Sequence, residues 1–158
     1  MGEPFRIVPF DEKYAPVFDR LNRAWIEEYF SVEPFDHEVL TKPQEHIIEP
    51  GGEVWFAEKE GKAIGTFALI PLEPGLFEFT KLGVDESARG LGVARALVRH
   101  GAKRAKAHKH KKLRIFTSTR LVPACTLYRA EGFQEVHMTP AQRTRYKRAD
   151  IMFDLDLA

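Results

Sequence analysis

The chain is 158 residues long, 44% apolar and 30% charged, with a formal net charge of +1. That length suits one domain able to bury a core without covalent staples, and the near-neutral balance excludes a strong overall field toward nucleic acid or an anionic membrane. The one cysteine, Cys125, excludes an internal disulfide, and no apolar run approaches the length a membrane-spanning helix needs.

The N-terminal run Met1-Gly2-Glu3-Pro4-Phe5-Arg6 lacks a signal peptide's apolar segment, and Arg6 stands where a myristoylation signal requires Ser or Thr. The expectation is a cytoplasmic, soluble protein with one domain over residues 1–158. Phe5 to Val8 reads as a first strand. Tyr14, Val17, Phe18, Leu21, Trp25 and Tyr29 then recur at three- and four-residue spacing, one face of an amphipathic helix. Pro34 and Pro43 break that pattern, so 31–50 is expected to be loop with a short helix or two. Val54 to Glu58 and Ala63 to Ile70 are apolar runs joined by Lys59-Glu60-Gly61-Lys62, a hairpin signal. Pro74-Gly75 turns the chain into a third strand, Phe77 to Val84.

The pattern then changes. Asp85 to Gly92 is polar and glycine-rich, and Ala94, Leu97, Val98, Gly101, Ala102 and Ala105 form a helical stripe narrow enough to lie close on a sheet. Leu113 to Thr117 reads as a strand. A second helix carries Ala124, Leu127, Tyr128 and Glu131 and ends at Gly132. Phe133 to Val136 starts another strand. Ile151, Phe153, Leu155 and Leu157 predict a last strand with one buried face. This order predicts an α/β protein: a mixed, mostly antiparallel sheet flanked by helices on both faces.

The most informative residues are Arg89, Gly90, Leu91, Gly92, Val93 and Ala94, between a strand and a helix. Glycines let the backbone turn tightly and approach a ligand with no Cβ in the way. The N–H groups of the following helix converge at its positive end, a favourable place for a phosphate or pyrophosphate. No Gly-Lys-Ser/Thr follows, so this is not a Walker A loop. The third glycine of a dinucleotide fingerprint is missing, and the preceding strand belongs to a meander.

Arg89-x-x-Gly92-x-Ala94 resembles the Arg/Gln-x-x-Gly-x-Gly/Ala signature of the GNAT superfamily of N-acetyltransferases. Glu78 to Val84 resembles that family's lead-in strand. Pro123-Ala124-Cys125-Thr126-Leu127-Tyr128 followed by Gly132-Phe133 resembles its second motif, one helix and one strand further on. Ala94 stands where many relatives have Gly, and Ser118 where many have Asn at the end of the penultimate strand.

The resemblance implies an acyl-CoA N-acyltransferase fold and acetyl transfer from acetyl-CoA, the cosubstrate, to a primary amine of a small molecule or protein. The attack would be direct, in a ternary complex that holds both reactants, an arrangement that can contribute roughly 7–11 kcal/mol of the barrier. It implies that Leu82 and Val84 offer main-chain groups to the pantetheine arm and that 89–94 hold the pyrophosphate, with Ser118 as a further contact. The Val84 N–H would stabilise the developing oxyanion, and Tyr128 would protonate the leaving thiolate. Glu78, an acidic residue in an apolar-rich strand, is the first candidate to accept the amine's proton, since burial raises a carboxyl's pKa. Glu33 and Asp36 are alternatives, and family members also use water chains. Tyr29, with Glu27 and Glu28, and Tyr146, with Arg148, border the expected acceptor site, where acidic lining would suit a cationic amine.

A homodimer is left open, and the alternative function is a non-catalytic acyl-CoA-binding sensor module. Neither nucleic acid nor a metal is expected as a partner. The basic stretch 103–114, with His108 and His110, reads as a solvated helix end, and Cys125 as helix packing rather than a nucleophile.

Overall fold

A computed structural model describes residues 4–157. Seven strands form one sheet: β1 (Arg6–Pro9), β2 (Glu53–Lys59), β3 (Lys62–Glu73), β4 (Leu76–Val84), β5 (Lys112–Thr117), β6 (Gln134–Val136) and β7 (Ile151–Asp156). Their spatial order is β1-β2-β3-β4-β5-β7-β6. Every neighbouring pair is antiparallel except β4 and β5. The five α-helices are α1 (Ala15–Tyr29), α2 (Pro34–Thr41), α3 (Val93–Ala107), α4 (Val122–Ala130) and α5 (Pro140–Arg143).

The alternation of apolar side chains along the central strands builds a core on each face. On β3, Phe67 and Leu69 pack with Leu97 and Val98 of α3 and Tyr128 of α4, whereas Ala68 and Ile70 pack with Phe18 and Ile26 of α1 and Leu40 of α2. The narrow stripe on α3 does what its composition suggests. A Cβ on Gly101 would stand 2.6 Å from the Phe79 ring, so only glycine permits this approach of helix to sheet. The β2–β3 turn follows from Glu60 (φ 52°) and Gly61 (φ 76°), consecutive left-handed residues whose twist matches that of the strands.

The stretch 31–50 holds short helices as expected: Pro34 opens α2 as the first helical residue, where its missing N–H costs nothing, and a π-helical turn follows over Gln44–Ile48. One expectation needs correction and one element was missed. The last strand is buried on both faces at its start, because Met152, between Ile151 and Phe153, is also 2% exposed. α5 went unread, although Thr139 and Gln142 form a capping box: Thr139 Oγ1 accepts the Gln142 N–H at 3.2 Å and Gln142 Oε1 accepts the Thr139 N–H at 2.8 Å.

Candidate active site

β4 and β5 pair only over Leu76–Glu78 and Lys112–Arg114. Beyond Glu78 the two strands part, and a cavity of about 680 Å³ fills the gap. Thr80 to Val84 form one wall and Ile115 to Ser118 the other, with α1 and α4 closing the sides. The Asp85 N–H donates to the Ile64 carbonyl of β3 at 2.8 Å. By the alternation of an antiparallel ladder, Gly83 also turns its polar groups to β3, and Val84 and Leu82 turn theirs to the cavity. An unpaired main-chain edge thus faces the gap.

A bulge shapes that edge. On β3 one residue separates Thr66 from Ala68, but on β4 two separate their partners Gly83 and Thr80. The extra residue is accommodated by Lys81, held at φ +56°. A non-glycine residue in this region is strained and needs support from its surroundings. Lys81 Nζ donates to Asp36 Oδ1 at 2.9 Å, and its side chain is 1% exposed. Arg148 donates to both Asp36 oxygens, at 2.7 and 2.9 Å, and Asp36 Oδ2 accepts the Glu33 N–H at 3.0 Å. Burial alone would raise the Asp36 carboxyl, but hydrogen bonds and charge from Arg148 and Lys81 outweigh it and hold the group well below the usual carboxylate range. Burial pushes the Lys81 ammonium down, opposed by Asp36.

At the far end of β4 the chain enters the glycine turn. Gly90 (φ +85°) and Gly92 (φ +78°) adopt backbone that only glycine takes without strain, and Gly92 caps α3. Among the described residues, the N–H groups of Gly92, Val93, Ala94 and Arg95 have no acceptor, and the first turn of α3 holds no acidic residue. Four free donors at a positive helix end suit an anion. Arg89 and Ala94 border the cavity. Leu91 does not: its side chain is exposed and its N–H donates to the Ala88 carbonyl at 3.3 Å.

Tyr128 enters the same cavity from α4, with its ring held among Phe79, Phe133 and Phe153. It is 5% exposed, and its hydroxyl has no protein partner among the described residues. Burial pushes its phenol well above the ordinary range, so it stays protonated. Ser118 also lines the cavity. Its Oγ accepts the Arg120 N–H at 3.2 Å, and its carbonyl accepts the Leu121 N–H, so it shapes the turn between β5 and α4. Cys125 packs in the helix, its thiol directed to the Ser118 carbonyl at 3.5 Å.

The carboxylates named from sequence lie elsewhere. Glu78 is completely buried, does not line the cavity, and accepts from Arg145 Nε at 2.7 Å and the Tyr146 hydroxyl at 2.9 Å. These contacts correct its reading as a free proton acceptor, because both oxygens are already held. Glu33 and Asp36 likewise sit behind the wall, on Lys147, Arg148 and Lys81. Tyr29 and Tyr146 do line the cavity, as do Trp25 and Glu28. Glu28 is exposed and has no cationic partner among the described residues. The expected acidic lining is replaced by a mixed one in which Lys81, Arg120 and Arg148 take part. Lys81, Arg120 and Arg145 escaped the sequence reading. The visible signal was Lys81 itself, a lone cation inside the apolar strand Phe77 to Val84.

The basic stretch is only partly solvated. Arg104 and His108 both reach Glu53 of β2, at 2.8 and 2.6 Å, and His110 packs on Phe77 with 3.8 Å between ring centroids.

A sheet splayed between two strands, with an anion-ready turn at its mouth, is the acyl-CoA N-acyltransferase architecture, and solved structures share it. An acetyltransferase of the GNAT family from Staphylococcus aureus superposes with a TM-score of 0.87 at 18% identity, over 98% of this chain and 99% of that one. A Bacillus subtilis acetyltransferase in complex with CoA does so at 0.75 and 21% identity, over 98% and 99%. Human N-acetyltransferase 8B is 34% identical over 95 residues, 57% of this chain and 42% of that protein. N-acetylaspartate synthetase of Xenopus tropicalis is 31% identical over 94 residues, 59% of this chain and 35% of that protein. The matches thus span less than half the length of these curated relatives. The model of the acetyltransferase (GNAT) family matches residues 17–133. The chain belongs to the acetyltransferase (GNAT) family.

Proposed function

We propose that this chain is a single cytoplasmic domain that transfers an acetyl group from acetyl-CoA to a primary amine of a small molecule or protein, by direct attack within a ternary complex. The observation that carries this reading is convergence on one cavity. The unpaired β4 edge and Tyr128 line it, and Arg89 and Ala94 bring the glycine turn and the start of α3 to its border. The residues present fit the cosubstrate: a gap in the sheet for an extended arm, main-chain donors and acceptors along it, and an anion site at its end.

Acetyl-CoA supplies a thioester whose C–S bond breaks as the amine forms a C–N bond to the same carbon. The chain's own groups handle position, charge and protons. The Leu82 and Val84 main chain aligns the arm, and the Val84 N–H lies on the edge where a carbonyl oxygen can be stabilised. Tyr128, protonated and unpartnered, supplies the proton for the departing sulfur. Glu28, the cavity carboxylate left without a cation, takes the place assigned from sequence to Glu78. It receives the ammonium group and accepts its proton, directly or through water.

The test is release of free thiol from acetyl-CoA across a panel of amines. Release stimulated by an amine is expected. Saturable binding with no stimulated release across the panel would favour a non-catalytic sensor.

A further inference from the structure

Most of the charged groups around the cavity are already paired, Arg20 with Asp85 and Arg89 with Glu86. Lys81 and Arg148 border it, whereas their carboxylate partners Asp36 and Glu33 do not. The Lys81 ammonium and the Arg148 guanidinium are turned back to those carboxylates and are neutralised there. One further cation reaches the same space from the turn after β5. Arg120 lines the cavity, and Arg120 Nη1 donates to the Tyr29 carbonyl at 2.7 Å with its guanidinium 5.1 Å from the Phe30 ring centroid. It has no carboxylate partner among the described residues. A guanidinium held by a carbonyl and a ring keeps most of its donors and all of its charge available, and the planar fork matches a carboxylate.

Arg120 is bonded to the residue that follows Glu28, so the two open charges of the cavity stand beside the same last turn of α1 without pairing with each other. Such an arrangement suits a ligand that carries both signs a few bonds apart. Trp25, Tyr29, Phe116 and Tyr146 supply apolar surface around them.

We propose that the acceptor is an amine that also carries a carboxylate, an amino acid with an apolar side chain, and that Arg120 is the specificity-determining residue that reads the carboxylate. This rests on the acetyltransfer reading given above, and it reverses the expectation of an acidic pocket for a simple cationic amine. The ammonium end goes to Glu28. A decarboxylated amine of the same shape leaves Arg120 unsatisfied and is the poorer substrate.

Two measurements test it. With acetyl-CoA saturating, phenylalanine is expected to exceed phenethylamine at least tenfold in kcat/KM, and Arg120→Gln to erase most of that preference while Arg120→Lys restores part of it. In a titration that needs no turnover, N-acetylphenylalanine is expected to bind the CoA-loaded protein at least tenfold more tightly than N-acetylphenethylamine. Equal binding of the two, or a preference that survives in Arg120→Gln, would overturn the proposal. Thiol release with phenethylamine but no gain from the carboxylate would overturn it and leave acetyltransfer standing. Absence of thiol release with every amine would count against acetyltransfer, and the binding comparison would still decide the carboxylate.

Discussion

Lys81 and Asp36 form a 2.9 Å ion pair between the bulge of β4 and the first turn of α2, with both side chains out of solvent. The pair ties a strained backbone position to a neighbouring helix at the edge where the cosubstrate would lie. Removing one member leaves a buried charge without its counterion, which typically costs about 3–5 kcal/mol. Asp36→Asn is therefore expected to lower unfolding stability by that order and to raise the KM for acetyl-CoA. The double change Asp36→Leu with Lys81→Met is expected to recover only part of the stability, because Arg148 still loses both of its bonds to Asp36. Urea unfolding of the singles and the double checks this, and equal additive losses would count against coupling.

Tyr128→Phe separates chemistry from packing. The hydroxyl has no protein partner among the described residues, so stability is expected to change by less than about 1 kcal/mol. The ring contacts with Phe79, Phe133 and Phe153 remain. Loss of a proton donor is expected to lower kcat on the order of a hundredfold. Unchanged kcat with chemistry rate-limiting would remove Tyr128 from the proton transfer.

Ala94→Asp gives opposite signs in two assays. An acidic residue in the first turn of α3, where none exists, is expected to stabilise the helix by about 0.3–1 kcal/mol. The same carboxylate occupies and repels the anion site, so acetyl-CoA binding is expected to fall at least tenfold. Thermal unfolding and titration calorimetry on one preparation would read both.

Glu28→Gln and Glu78→Gln should differ in kind. Glu28 borders the cavity and has no ion pair among the described residues, so its change is expected to lower kcat/KM for the amine about tenfold with little effect on stability. Glu78 holds Arg145 and Tyr146 in a buried cluster, so its change is expected to act mainly on unfolding. If Glu78→Gln instead abolished turnover in a protein of unchanged stability, the sequence-based assignment of the base would be restored.

Glu53 supplies a pH test. Burial raises its carboxyl, but hydrogen bonds from Arg104, His108 and Trp55 overcome that and bring it to about 2, from an ordinary value of 4.5. A depressed folded pKa means that the unfolded chain binds the proton first. The stabilisation is thus fully present above about 4.5 and lost as pH falls toward 2. The stability gap between the native protein and Glu53→Gln is expected to shrink over that window. A gap independent of pH would contradict it.

Much of the fold was legible because apolar periodicity and turn residues act locally. The α1 stripe, the Glu60-Gly61 hairpin and the glycine turn before α3 each depend on neighbours in sequence. The carboxylates were not legible for the opposite reason. Glu78 meets Arg145, and Asp36 meets both Lys81 and Arg148, across separations of 67, 45 and 112 residues. No spacing rule reports such pairs. An acid in an apolar strand signals that something unusual is buried, but it does not distinguish a proton acceptor from the buried half of an ion pair. Likewise the α1 stripe divides in space: Phe18 packs on the sheet, while Leu21, Trp25 and Tyr29 border the cavity.

The most direct measurement is calorimetric titration of the folded protein with acetyl-CoA at low salt, beside the same titration of Ala94→Asp. Saturable one-to-one binding in the native protein, weakened in the variant, is the expected result. Absence of binding by a folded native protein would contradict the assignment of the β4 edge and the glycine turn to a cosubstrate, and would leave that turn a purely structural feature.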